Sequence, residues 1–86
     1  MADPEEIRRF AADLKRFLGG IEDSTAALTG RFRALGDTWR DQEHRQFAEE
    51  FENTMRVLGR FATAADEQIP YLVRKADRLE DYLRQR

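Results

Sequence analysis

Two apolar seams, each spaced alternately by three and four residues and separated by a single cluster of turn residues, constrain this chain more than any other feature. The first seam runs Ile7, Ala11, Leu14, Leu18, Ile21, Thr25, Leu28, Phe32 and Leu35. The second runs Phe51, Met55, Leu58, Ala62, Ala65, Ile69, Leu72, Ala76, Leu79 and Leu83. A repeat of seven gathers each set onto one stripe of an α-helix and clashes with the two-residue alternation of a strand. Between the seams, Gly36-Asp37-Thr38-Trp39-Arg40-Asp41 breaks the periodicity with residues that cap helices and make turns. A link of about five residues cannot return the chain to its starting end, so the two helices must lie antiparallel. The expected fold is all-α: an antiparallel two-helix hairpin, forming a single domain over residues 1–86.

Local signals place the ends. Asp3-Pro4-Glu5-Glu6 combines a capping carboxylate, proline at the first helical position and an acid where a capping box needs it, so the first helix starts near residue 4. Gly19-Gly20 and Gly30 each cost about 1 kcal/mol relative to alanine inside a helix. The seam nevertheless keeps its phase across them, which predicts one continuous helix with small residues allowing close helix approach or a modest bend. Either Asp37 or Asp41 is placed to cap the second helix. Pro70 removes one hydrogen bond and crowds the preceding turn. Because the phase is unbroken from Ile69 to Leu72, a kink near residues 66 to 70 is expected rather than a third helix.

Composition excludes several functions. There is no cysteine, hence no disulfide framework, thiolate metal site or cysteine nucleophile. Fifteen basic residues, thirteen of them arginine, face 17 acids for a net charge of -2, and basic pairs such as Arg8-Arg9 and Lys15-Arg16 have acids nearby. This is no footprint for nucleic acid. No apolar run approaches the roughly 18 residues of a membrane span, and mixed charge opposite the apolar stripe disfavours stable membrane insertion. The acidic start MADPEEIRRF does not read as a cleavable signal, so the expected location is cytoplasmic, or secreted by a route that needs no such signal. His44 is the only histidine, and one imidazole beside Asp41 is too few ligands for a metal. Glu49, Glu50 and Glu52 alternate with Phe47 and Phe51 on one helix and read as a solvated face, with Glu52/Arg56 and Asp41/Arg45 at ion-pair spacing. No cofactor, metal site or catalytic constellation is expected, and the chain is not expected to be an enzyme.

Phe10 and Phe17 lie beside the first seam, and Phe47, Phe61 and Tyr82 widen the second. A two-helix hairpin covers only its facing seam, so these rings need something else against them. Phe10, Phe17 and Phe61 are therefore expected to form a dimer interface, two hairpins pairing into a four-helix bundle.

Trp39 stands in the turn, Asp41 follows two positions later, Phe47 eight and Phe51 twelve. This pattern resembles the WXG family, ESAT-like small bacterial proteins of about a hundred residues with Trp-Xaa-Gly between two long helices. The resemblance spans nearly the whole chain. It implies a dimeric hairpin, either a homodimer or paired with a second WXG-like protein, that is a type VII (ESX) secretion substrate or a substrate's partner. Asp41 replaces the family's glycine, and an aspartate both caps a helix and tolerates a turn, so Trp39 and Asp41 are read as the turn motif. Many exported members or their partners carry Tyr-Xaa-Xaa-Xaa-Asp/Glu after the second helix. Here Tyr71 is followed by Lys75 and Tyr82 by Arg86, so an export signal would come from a partner.

Overall fold

The first helix, α1 (Pro4–Leu35), begins where the sequence places it. Asp3 is its N-cap, and the carboxylate accepts a hydrogen bond from the Glu5 backbone N–H at 2.9 Å. The second helix, α2 (Gln42–Arg84), is capped by Asp41 rather than Asp37, with the Asp41 carboxylate accepting from the His44 N–H at 2.9 Å. The computed structural model describes residues 2–85. Both helices are continuous: α1 runs through Gly19-Gly20 and Gly30, and α2 runs through Pro70. No neighbouring atom lies within 4 Å of where a Cβ would stand at Gly19, Gly20 or Gly30, so close helix approach is not their purpose.

The arms are antiparallel. Phe32 stacks beside Phe51 near the turn, with ring centres 4.7 Å apart, while at the open end Arg8 reaches Asp77 at 2.8 Å and Glu80 at 2.6 Å. The resulting rod measures 68 × 16 × 16 Å, and its radius of gyration is 19.7 Å, against about 12 Å for a globular chain of this length. Its accessible surface is 6909 Å², whereas a compact monomer of this mass exposes about 5,300 Å². The core between the arms is accordingly thin. Ala11, Leu18 and Ala76 are the buried apolar residues of the two seams, and no large side chain is fully buried among the described residues.

The two seams behave differently. Every seam position of α2 from Phe51 to Leu83 is buried or half-buried, as a strict heptad requires. In α1 the seam holds as far as Thr25 and then departs from expectation. Leu28 and Leu35 are 47% and 46% exposed, and Thr29 and Gly36 take the half-buried places beside Phe32. An α-helix turns every 3.6 residues, so a seven-residue repeat slips about 20° per heptad unless the helix supercoils; α2 follows its heptad throughout, whereas α1 follows it only as far as Thr25. By the fourth heptad of α1, the leucines have rotated out of the seam. They stand half in the open beside the seam, next to Phe47 and Phe51 of α2.

Candidate protein interaction surface

Trp39 and Asp41 sit together at the hairpin tip. The Trp39 N–H donates to the Leu35 carbonyl at 3.0 Å, and the half-buried indole meets His44 edge-on, with centroids 5.0 Å apart and planes at 81°. His44 in turn lies flat on Phe32 at 5.2 Å and 5°, and Phe47 and Phe51 complete the cluster. Trp39 thus closes the turn by packing. Space is tight at Gly36, where a Cβ would stand 3.2 Å from the Arg33 carbonyl and 3.7 Å from His44 Nε2. Arg40 donates from Nε to the Gly36 carbonyl at 2.9 Å, placing a cation on the carbonyl end of α1. Asp41 has φ -87° and ψ -175°, ordinary extended backbone, so the position has no need of glycine and gains a cap from the carboxylate.

The predicted interface residues are open to solvent: Phe10 is 58% exposed, Phe17 57% and Phe61 52%. Helix geometry puts them on one broad side of the rod. Phe10 to Leu28 and Phe17 to Leu35 are each eighteen residues, or five complete turns, so the four point the same way from α1. On α2, Phe47, Phe61 and Tyr82 each precede a residue of the Ala48, Met55, Ala62, Ile69, Ala76, Leu83 series, which is half-buried apart from the buried Ala76, and so keep a constant side of the seam. Leu28 and Leu35 line one groove with Phe47, Phe51 and Met55, which brings the two sets onto a common face. Leu28, Leu35, Phe47 and Tyr82 thus belong with Phe10, Phe17 and Phe61. Heptad reading hid the two leucines by assigning them to the seam, and a 3.6-residue period would have found them.

The opposite face carries more charge. Its central groove has Lys15, Glu22 and Asp66 around a lining of Leu18, Ile21, Leu58 and Ala62 with Gly19 and Gly59. At the open end, Arg8 bonds Glu5 at 2.7 Å on its own helix as well as Asp77 and Glu80 across the hairpin. Arg84 also pairs with Glu80. Hydrogen bonding to Arg8, reinforced by its charge, lowers the Glu80 carboxyl below its ordinary range, and Asp77 first, then Glu80 and Glu5, raise Arg8. This network joins residues 69 and more apart in the sequence, and no local motif announces it. The ion pairs expected at Glu52/Arg56 and Asp41/Arg45 are not among those formed by the described residues. Asp41 is engaged in capping instead. Glu49, Glu50 and Glu52 are exposed, and among the described residues no group of three or more histidines and carboxylates is gathered to hold a metal. None of the helices is long and apolar enough to cross a membrane, as judged over the described residues.

A family model described as proteins of 100 residues with WXG (WXG100) matches residues 1–82 of the chain. Comparison with curated proteins and with solved structures gives no significant match.

Proposed function

The chain belongs to the WXG100 family, and from that premise we propose that it is a dimeric, non-enzymatic hairpin serving type VII (ESX) secretion as a substrate or a substrate's partner. It works by protein contact alone. The observation that carries this reading is the aromatic face: Phe10, Phe17, Phe47, Phe61 and Tyr82 lie open, beside Leu28 and Leu35, on a rod with almost no interior of its own. Apolar surface of that extent marks a place where another protein sits. A second hairpin, a copy or another WXG-like chain, laid on this face would complete a four-helix bundle around Phe10, Phe17 and Phe61.

Export is tested by following the tagged chain in its source strain. Appearance in the medium of unlysed cells, abolished when the secretion ATPase is disabled, supports the substrate reading. Retention inside the cell with or without that ATPase supports the second reading, an intracellular coiled-coil adaptor or scaffold. One observation favours that alternative: neither Tyr71 nor Tyr82 is followed four residues later by an acid, so the chain lacks the family's tyrosine-acid export pattern. If a paired hairpin carries the pattern instead, deleting that partner should stop export of this chain.

A further inference from the structure

We infer that Met55 is a modification site: peroxide converts it to the sulfoxide in the folded chain, and the sulfoxide loosens the hairpin. The inference does not depend on what covers the aromatic face. The chain has two methionines, Met1 and Met55, and no cysteine. Met1 lies outside the described residues. Met55 stands half-buried in the α2 seam.

Its place in that seam is distinctive. Met55 lines the groove on the aromatic face with Leu28, Phe32, Phe51 and Thr54, and it lines the groove on the charged face with Thr25, Leu58, Gly59 and Ala62. No other described residue borders both grooves. Susceptibility to oxidation follows exposure of the sulfur, and this side chain is approached from two sides. Gly59 keeps the second approach open. A helical side chain leans toward the N-terminus and covers the turn before its own Cα, so the residue four positions on is the one that would shield Met55. At Gly59 there is no side chain, and no neighbouring atom lies within 4 Å of where a Cβ would stand. This glycine costs about 1 kcal/mol relative to alanine inside α2, and packing between the arms gives no reason for it. A hairpin laid on the aromatic face would close the groove beside Leu28 and leave the one beside Gly59 open.

The step is a two-electron oxygen transfer. A lone pair of the thioether sulfur attacks one oxygen of hydrogen peroxide, the S–O bond forms as the O–O bond breaks, and the leaving hydroxide takes the proton of the transferred oxygen. Thioether and peroxide become sulfoxide and water. The product sets a polar, chiral S=O among Leu28, Phe51 and Leu58. Placing a polar group there without a partner costs stability. A seam whose buried apolar residues are Ala11, Leu18 and Ala76 has little to offset that cost.

The test treats the full chain with hydrogen peroxide and follows it by peptide mass analysis and thermal melting. Met55 should gain one oxygen at a rate within about tenfold of N-acetylmethionine amide in the same solution. The melting temperature should fall by about 5 °C or more. A Met55 still unmodified when the amide is consumed overturns the site. A Met55 sulfoxide that melts with the parent overturns the loosening. Met55→Leu, a nearly volume-conserving change, should fold as the parent does and keep its melting temperature through the same treatment. A fall as large as the parent's in that variant overturns the assignment to Met55. Gly59→Leu closes one of the two approaches and should slow oxidation of Met55 by about twofold or more. An unchanged rate overturns the role given to Gly59.

Discussion

The two broad faces of the hairpin are built from the same two helices and differ in nearly everything else. One carries Phe10, Phe17, Leu28, Leu35, Phe47, Phe61 and Tyr82 in the open. The other carries Lys15, Glu22 and Asp66 around a central groove and Arg8, Asp77 and Glu80 at the open end. The charged face is finished as it stands, its ions paired across the arms or solvated. The aromatic face leaves its large side chains open. The contrast separates holding the hairpin's ends together, which involves Arg8 and the tip cluster, from the apolar surface that the hairpin leaves uncovered.

The largest expected effect breaks this contrast on the aromatic side. Phe17→Glu with Phe61→Glu should weaken association by a hundredfold or more, because central aromatic anchors typically contribute about 2 kcal/mol or more each and every change occurs twice in a symmetric pair. Lys15→Ala with Asp66→Ala, on the charged face, should leave the sedimenting mass unchanged. Equal losses from the two double variants would remove the distinction between the faces. Next in size is the tip: Trp39→Ala should lower stability by about 2 kcal/mol, since a half-buried indole loses its packing on His44 and Phe47. An unchanged melting temperature would mean that Trp39 serves recognition alone.

Smaller effects sharpen the comparison. Gly30 has open space around it, so Gly30→Ala should raise the melting temperature, by about 0.5 to 1 kcal/mol of stability. Loss of stability there would place a neighbour where none is described. The smallest effect is the acid sensitivity of the charged face. Glu80 has a lowered pKa in the fold, so its contribution is present above the ordinary carboxylate range and is lost as pH falls through the folded value. Amide exchange across residues 4–11 and 76–84 should therefore accelerate on acidification before the tip cluster loosens. Glu80→Gln should flatten that dependence, and an unaltered profile would show that the network does not hold the open end.

Much of this was legible before the fold. The α2 seam was read correctly from end to end because its residues keep a true heptad from Phe51 to Leu83. The turn, Asp41 as one of two candidate caps, and the exposure of Phe10, Phe17 and Phe61 followed from spacing alone. Leu28 and Leu35 were misassigned because seven-residue spacing does not say where a helix follows the heptad and where it reverts to 3.6 residues per turn: α2 follows it throughout, α1 only as far as Thr25. Arg8, Asp77 and Glu80 could not be joined from local patterns, since their meeting depends on the register of one arm against the other. The role of His44 was hidden for a related reason. Its ring lies flat on Phe32, a residue on the other helix, and meets Trp39 edge-on.

The most direct test of the central claim is thermal melting, followed by circular dichroism, over a hundredfold range of chain concentration. If the aromatic face is half of a shared core, folding is coupled to association and the melting temperature must rise with concentration. A cooperative melting temperature that stays constant across the range, in a species of 10.1 kDa, would contradict the account.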